Sequence, residues 1–334
     1  DMVVTLSHTG YIKSQPLSEY RAQKRGGRGK QATATKEDDW IDQLFIANTH
    51  DYLLCFSNRG RMYWLKVYEL PQGSRQSRGK PIVNLLPLVE GEKINAILPV
   101  KGFSDTEYVF MATARGTVKK TPLSAFSNRR SAGIIAVDLD EGDYLIGAAV
   151  TSGNSEVMLF SDAGKAVRFD EADVRPMGRN ARGVRGMELG DTQQVIGMLV
   201  SNEETSQVLT ATANGYGKRT PIGDYRKSRR GTQGVIAIDT GERNGALVAV
   251  ALVADSDELM LMTTAGQSVR IKVATVRETG RATQGVKLMT LNEGESIQDI
   301  SIVIPDDEDE EAPAETEDAG VGEVSGEMEA PAEE

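Results

Sequence analysis

The sequence predicts an all-β fold of six propeller-type blades, and two repeated glycines are the basis of this prediction. Six segments share a short apolar run, a small or polar pair and then a glycine that we call the hairpin glycine. The hairpin glycines are Gly10, Gly60, Gly116, Gly164, Gly215 and Gly266, spaced 50, 56, 48, 51 and 51 residues apart. A second glycine follows each by 19 residues, or by 17 in the third unit, at Gly29, Gly79, Gly133, Gly183, Gly234 and Gly285. Two registers kept over six units indicate a genuine repeat of blade size.

Each unit contains enough β-forming sequence for four short strands. The hairpin glycine lies between two β-rich runs, where a tight turn needs a residue with positive φ. A third apolar run precedes each next hairpin, and a shorter run follows the second glycine. The last apolar run, 297–304, has no hairpin after it, and the first hairpin has no run before it. We therefore expect 297–304 to complete the first blade, while periodicity leaves open whether neighbouring blades exchange strands.

The charge is divided between a mildly basic body and an acidic tail. Residues 306–334 hold 14 acidic and no basic residues, which leaves 35 acidic residues against 38 Lys and Arg in residues 1–305. The body therefore carries a net charge of about +3, although the whole chain carries −11. The tail is poor in large apolar side chains, so we expect 306–334 to be disordered. The tail either acts as a tethered polyanion on the basic body or serves only as a solubilising tail.

Composition argues against several classes of protein. No apolar run has the length of a membrane span, and no N-terminal segment resembles a signal peptide. The chain opens on Asp1 inside an apolar run, so we expect a piece of a longer polypeptide. Cys55 is the single cysteine and lies in an apolar run, which favours a buried thiol over a nucleophile. With only His8 and His50 as further soft ligands, an ordinary zinc site is not expected.

Cations recur at two points of each unit. Five of the six units place one three or four residues after the hairpin glycine, whereas the second unit has Tyr63 and Trp64 there. A second basic group surrounds the later glycine. Equivalent positions in a repeat lie at equivalent places around a disc, so the sequence predicts a belt of positive charge that binds a phosphate backbone. A propeller that binds an acidic protein is the alternative, and solvated loop charges are the reading for any single cation.

The strongest local signal is the segment from Gln23 to Lys30. It holds four cations and three glycines in eight residues without an acid, and Gly29 is the second glycine of the first unit. Its first seven residues resemble the heptapeptide Gln-Arg-Arg-Gly-Gly-Lys-Gly of the gyrase A C-terminal domain family, with Arg/Lys exchanges at positions 24 and 28. Segments 20–23, 47–61, 78–88 and 214–220 are also similar to that family. The resemblance covers residues 1–305.

The resemblance implies a six-bladed β-pinwheel over residues 1–305 that wraps duplex DNA for negative supercoiling and is not itself catalytic. The related topoisomerase IV domain, which typically lacks an intact heptapeptide, is the nearer alternative. Family and repeat together predict these DNA-binding residues: Gln23, Lys24, Arg25, Gly26, Gly27, Arg28, Gly29, Lys30, Arg78, Lys80, Lys119, Lys120, Arg129, Arg130, Arg168, Arg182, Lys218, Arg219, Arg229, Arg230, Arg270 and Arg281.

The same resemblance implies the surroundings in which the chain works. The catalytic tyrosine, the ATP site and the magnesium site of such a topoisomerase lie outside this chain, so no cofactor is expected in it. The expected partners are double-stranded DNA, the remainder of the gyrase A polypeptide, and the gyrase B polypeptide in a heterotetramer, without a membrane. The isolated domain is expected to be monomeric, cytoplasmic and nucleoid-associated.

Overall fold

The computed structural model of the protein describes residues 1–20, 39–74, 76–201 and 206–304. Over these residues, 23 strands form six antiparallel sheets, five of four strands and one of three. All six hairpin glycines have positive φ, between 74° and 91°, as the sequence predicts for the hairpin turns. The predicted all-β fold with six blades is therefore confirmed.

Each blade is built on one hairpin. The hairpin strands are β1 (Met2–Ser7) with β2 (Tyr11–Pro16), β4 (Tyr52–Ser57) with β5 (Arg61–Lys66), β8 (Tyr108–Thr113) with β9 (Thr117–Pro122), β12 (Glu156–Ser161) with β13 (Lys165–Asp170), β16 (Gln207–Thr212) with β17 (Tyr216–Pro221), and β20 (Glu258–Thr263) with β21 (Ser268–Lys272). A 3₁₀ turn follows in the later five units, at Val67–Glu69, Leu123–Phe126, Glu171–Asp173, Ile222–Asp224 and Val273–Thr275, with a further one at Ile82–Asn84.

An inner strand pairs with the first strand of each hairpin. The inner strands are β3 (Ile41–Ala47), β7 (Ile94–Val100), β11 (Leu145–Thr151), β15 (Val195–Ser201), β19 (Leu247–Val253) and β23 (Ile297–Val303). From β7 to β23 each inner strand contacts the next, and β23 also contacts β3. The inner strands therefore line the middle of the propeller, and the second strand of each hairpin lies further out.

Neighbouring blades exchange strands. The periodicity of the sequence had left this question open. The outermost strand of a blade is donated by the following unit, directly after its second glycine. These donated strands are β6 (Lys80–Pro81), β10 (Ile134–Ile135), β14 (Val184–Arg185), β18 (Val235–Ile236) and β22 (Val286–Lys287). A Cβ on Gly183 would lie 2.4 Å from the carbonyl oxygen of Val118, and its φ is +100°. The second glycine is thus needed because the donated strand begins against its neighbour's backbone.

The expectation that 297–304 completes the first blade is wrong. Strand β23 pairs with β20 inside the sixth blade, and the inner strand of the first blade is β3. The reason is that each inner run folds back onto the hairpin that precedes it in the chain. The ring therefore meets itself between β23 and β3, the inner strands of the sixth and first blades.

The core is divided into layers between adjacent blades. In β4, Leu53 and Cys55 belong to the cluster shared with the first blade, whereas Leu54 and Phe56 belong to the cluster shared with the third. The first strand of each hairpin is buried on both faces, so its sequence is a mostly continuous apolar run rather than an alternating one. Cys55 is fully buried, which confirms the core thiol, and burial raises its pKa to about 12.

A polar cluster joins the first and sixth blades. His8 Nδ1 lies 3.0 Å from a carboxylate oxygen of Asp42, and its ring stacks on Trp40 with 4.5 Å between centroids. The Trp40 indole donates to the hydroxyl of Ser301 on β23 at 3.1 Å, and that hydroxyl donates to Asp42. Asp42 therefore receives hydrogen bonds from both blades.

We expect the free energy of unfolding to fall as the pH rises through neutrality. The hydrogen bond that His8 donates to Asp42 raises the pKa of His8 above its usual 6.5, and burial raises the pKa of Asp299 nearby. Both folded pKa values are raised, so each contribution is present at low pH and lost as that group deprotonates, and the loss near neutrality belongs to His8. Between about pH 6 and about pH 8 the loss should be about 0.5 kcal/mol in urea unfolding, the size of a partly exposed ion pair. His8→Gln should abolish it and His50→Gln should not; an unchanged profile in His8→Gln would contradict the assignment.

Candidate nucleic-acid interface

The second basic group lies on loops at the outer ends of the blades. Each loop follows a 3₁₀ turn and ends at the second glycine, just before a donated strand. We call residues 72–79 (of which residue 75 lies outside the described residues), 127–133, 175–183, 226–234 and 277–285 the outer loops. The first unit's loop, which contains Gln23, Lys24, Arg25, Gly26, Gly27, Arg28, Gly29 and Lys30, lies outside the described residues, so its role stays a prediction.

Four of the predicted cations are exposed and have no carboxylate partner among the described residues. They are Arg78, Lys80, Arg130 and Arg229. The guanidinium of Arg78 lies over the ring of Tyr11, 4.0 Å from its centroid, which holds the side chain in place and leaves its charge unpaired. These positions fit a phosphate-binding role.

Arg129 and Arg182 are also exposed, but both have carboxylate partners. Arg129 makes a two-pronged contact with Glu69, at 2.5 and 3.0 Å, and this hydrogen bond lowers the pKa of Glu69. Arg182 lies 3.5 Å from Asp138 and 3.3 Å from Asp140. A phosphate would have to compete with these carboxylates, so each arginine is a weaker candidate for phosphate binding than an unpaired one.

The structure corrects the prediction for the cations that follow the hairpin glycine. Lys119, Lys120, Arg168 and Lys218 are only 0 to 5% exposed, because they lie in strands that are covered by the next blade. A side chain at this depth is out of reach of a phosphate backbone. Sequence spacing alone placed these four on the surface belt, and it could not show that their strands are buried on both faces.

Lys119 and Lys218 donate to backbone carbonyls instead. The Nζ of Lys218 donates to Gly280 at 2.8 Å, to Thr283 at 2.9 Å and to Arg281, all on an outer loop. The Nζ of Lys119 donates to Ala136 at 2.7 Å and to Arg179. Burial lowers the pKa of both lysines to about 8.

The residue four places after the hairpin glycine contacts the 3₁₀ turn of the next unit. Lys120 Nζ donates to the carbonyl of Glu171 at 3.2 Å, and Arg168 donates to that of Tyr225 at 3.0 Å. In the second unit the indole of Trp64 donates to Phe126 at 2.8 Å. Trp64 therefore makes the same contact with the next unit as the cations do. This position requires a long side chain with an N–H group, and in the third and fourth units its positive charge also pairs with Glu171 and Glu156.

The last two cations of this group are tied to acids. Arg219 is half-buried, donates to the carbonyl of Val276 at 2.6 Å and pairs with Asp255. Arg270 is exposed on β21 and pairs with Glu258 across the hairpin. We therefore leave Arg219 out of the candidate interface and give Arg270 a minor part in it.

Arg230 and Arg281 each connect their own outer loop to the preceding unit. Arg230 donates to the carbonyls of Asp173 at 3.1 Å and Arg185 at 3.0 Å. Arg281 repeats both contacts with Asp224 and Ile236, at 2.6 and 3.0 Å. Every unit has an arginine at this place, four residues before the second glycine, and the six are Arg25, Arg75, Arg129, Arg179, Arg230 and Arg281.

Sequence reasoning missed four exposed cations of the outer loops and donated strands, namely Arg175, Arg226, Lys227 and Lys287. The first two lie eight residues before the second glycine, as does Arg277, and this constant spacing is the signal that could have found them. Among the described residues, the outer loops and donated strands expose twelve cations: Arg78, Lys80, Arg129, Arg130, Arg175, Arg182, Arg185, Arg226, Lys227, Arg229, Arg277 and Lys287.

The described residues give little support for a metal site, a small-molecule site or a membrane span. They contain no group of three or more His, Cys, Asp or Glu side chains that could hold a metal ion. A cavity of about 440 Å³ near Arg182 and Asp138 is lined by charges of both signs that pair with one another. No helix within the described ranges is long and apolar enough to cross a membrane.

Comparison with known proteins identifies this arrangement. Six consecutive segments match the family model described as the DNA gyrase C-terminal domain, beta-propeller, at residues 1–48, 51–101, 107–152, 155–202, 206–254 and 257–304. Among solved structures, the C-terminal domain of DNA topoisomerase IV superposes with a TM-score of 0.81 at 27% identity, covering 90% of this chain and 93% of that one. A DNA gyrase A C-terminal domain superposes with a TM-score of 0.67 at 28% identity, covering 91% and 99%.

The curated relatives are longer proteins. The chain is 55% identical to the DNA gyrase A protein of Klebsiella oxytoca, covering 94% of this chain and 36% of that protein. It is 53% identical to that of Escherichia coli (strain K12), covering 93% and 35%, and 51% identical to that of Neisseria gonorrhoeae, covering 92% and 38%. The chain thus spans little more than a third of the length of these relatives. With six blades matched one by one, the chain belongs to the DNA gyrase C-terminal domain family of β-propellers.

Proposed function

We propose that this chain binds duplex DNA along its outer loops and wraps it with a fixed hand. Wrapping presents a crossing of defined sign for ATP-dependent strand passage, through which a gyrase introduces negative supercoils. The chain takes no part in bond cleavage. The proposed partners are DNA, the remainder of a gyrase A polypeptide, and the gyrase B polypeptide, and the proposed location is the nucleoid.

The twelve exposed cations of the outer loops and donated strands carry this proposal. They recur in each of the five described loops, at the ends of the blades furthest from the inner strands. A duplex that follows the edge of the propeller would therefore meet cations once per blade. Recurrent backbone contact without a base-reading element is typical of sequence-tolerant wrapping.

The energies of bending and binding are of matching size. A body of this length has a radius of about 25 Å, so DNA on its edge follows a circle of about 35 Å radius. Bending a duplex through half a turn at that radius costs about 13 kcal/mol. Each phosphate contact returns about 1 kcal/mol by counterion release near physiological salt. About a dozen contacts are needed. Of the twelve exposed cations of the outer loops and donated strands, all but Arg129, Arg182 and Lys227 have no carboxylate partner among the described residues, and the four cations of segment 23–30 bring these nine to thirteen.

We expect this chain to change the linking number of a relaxed plasmid. A nicked plasmid is ligated with increasing amounts of the protein, and the topoisomers are then resolved on a gel. Wrapping with a fixed hand should give a positive shift that grows with protein and disappears at high salt, because phosphate contacts weaken with salt. Binding without any shift would contradict chiral wrapping.

The segment 23–30 supplies a sharper variant for the same experiment. We propose that it holds one end of the wrapped duplex. Replacing Lys24, Arg25, Arg28 and Lys30 by glutamine should abolish the full shift but leave DNA binding and some bending. A normal shift in this variant would show that the duplex is held elsewhere.

A DNA-bending domain of the topoisomerase IV type is the second candidate, favoured by the TM-score of 0.81. Such a domain would bind DNA with the same salt dependence but give no shift in linking number. A propeller that binds an acidic protein is a third candidate. It would show no salt-sensitive affinity for duplex DNA of random sequence.

A further inference from the structure

Three lysines of alternate units lie beneath the outer loops of the units that follow them. Lys13, Lys119 and Lys218 each stand three residues after a hairpin glycine, on β2, β9 and β17. Lys13 Nζ donates to the carbonyls of Ser74 at 3.0 Å and Ser77 at 2.8 Å. The corresponding residues of the second, fourth and sixth units are Tyr63, Val167 and Val269. One ammonium group thus reaches every second outer loop.

The geometry of these contacts is that of a support rather than of a binding surface. The three hydrogen bonds of Lys218 to loop carbonyls use all three N–H donors of an ammonium group. Lys119 and Lys218 are nearly fully buried, so a phosphate cannot reach them. Carbonyls drawn towards the lysine are satisfied on the protein side, and the exposed cations of the same loop remain available to solvent.

These loops need such a support because each carries more arginines than acidic residues, so that like charges repel within it. The outer loop 175–183 contains Arg175, Arg179 and Arg182 and no acidic residue. A loop that is ordered only upon binding DNA loses conformational freedom at that moment, which weakens the affinity. A loop that is already held in its bound form loses little conformational freedom when it binds DNA.

We propose that Lys13, Lys119 and Lys218 are positioning residues for DNA binding, each holding the next unit's outer loop in the form that meets phosphates. The inference rests on the proposed function and deepens it. The lysines touch no DNA; they act through the carbonyls of Ser74, Ser77, Arg179, Gly280, Arg281 and Thr283.

Lys119→Met in the whole chain tests the proposal. Its affinity for a duplex of random sequence is measured between about 50 and 200 mM salt, beside Arg175→Gln, with Lys101→Met as the control. Lys101 is an exposed lysine outside the outer loops. Lys119→Met should weaken binding about three- to ten-fold while the slope of log affinity against log salt stays unchanged. Arg175→Gln should reduce that slope by about 0.9, because a phosphate contact is lost.

Amide hydrogen exchange provides a second measurement. In Lys119→Met, exchange should accelerate in 175–183 and remain unchanged in the other outer loops. Unchanged affinity despite faster exchange would overturn the proposal, because the lysine would then be only structural. A reduced slope would also overturn it, because Lys119 would then contact phosphate directly.

Lys13→Met keeps the test decisive if Lys119→Met fails to fold. Lys13 is half-buried, so its replacement disturbs the core less, and the loop concerned is 72–79. The same combination of weaker binding and unchanged slope is expected. A wild-type chain with no salt-dependent DNA affinity would refute the proposed function itself, which separates that failure from a failure of the positioning role.

Discussion

Replacing Arg175, Arg226 and Arg277 together by glutamine will lower the affinity for duplex DNA about 100-fold at physiological salt. All three are exposed, stand eight residues before a second glycine, and have no carboxylate partner among the described residues. Each phosphate contact is worth about 1 kcal/mol, so three losses add to about a factor of 100. The slope of log affinity against log salt should fall by about 2.7, which fluorescence anisotropy titrations at several salt concentrations can measure.

The matched control removes the same charge from another part of the propeller. Arg59, Lys93 and Arg115 are exposed cations outside the outer loops. Their triple replacement by glutamine should weaken binding only through long-range electrostatics, by a few-fold, and leave most of the slope. Equal losses in the two triple variants would mean that net charge drives binding, and the outer loops would lose their special role.

Replacing Lys120 by methionine will destabilise the fold by about 3 to 5 kcal/mol, because it leaves a buried charge without its cation. The carboxylate of Glu171 is fully buried, and Lys120 Nζ lies 3.9 Å from it. Thr151 donates to this carboxylate at 2.6 Å and the backbone of Ser155 at 2.8 Å, so the group stays in place when Lys120 is removed. Urea unfolding followed by circular dichroism measures the loss.

A second substitution separates the buried charge from the lost packing. Adding Glu171→Gln to Lys120→Met removes the unpaired charge and should recover part of the stability. Lys93→Met, at an exposed lysine, should cost less than about 0.5 kcal/mol. A loss of less than about 1 kcal/mol in Lys120→Met would show that Glu171 does not depend on this cation.

Much of the fold was predictable because the chain repeats itself. Glycines at a hairpin and before a donated strand must recur in every unit, since no other residue adopts their backbone conformation without strain. Their two registers predict the number of blades and the place of the hairpins. The donation of strands was not predictable, because a two-residue strand such as Ile134–Ile135 carries no periodic signal that names its partner.

The candidate site was only partly predictable, and the hairpin cations show why. Sequence spacing predicts the same surface role for Lys119 and Arg129, because both are cations that recur at a fixed position of the repeat. The structure buries the first beneath a neighbouring blade and exposes the second at the outer end of its own. The burial of a side chain depends on which neighbouring strand packs over it. That strand belongs to another unit, which is distant in the sequence.

Trp64 illustrates the same limit from the opposite side. Trp64 is uncharged, whereas the equivalent residues of the third to sixth units are cations. Its indole nevertheless donates to the 3₁₀ turn of the next unit, as Arg168 does in its own blade. By itself the sequence determined the repeat, the family and the two groups of cations that are kept in register. Only the tertiary structure decided which cations face solvent and which serve as donors between blades, since a long basic side chain suits either environment and its neighbours alone select between them.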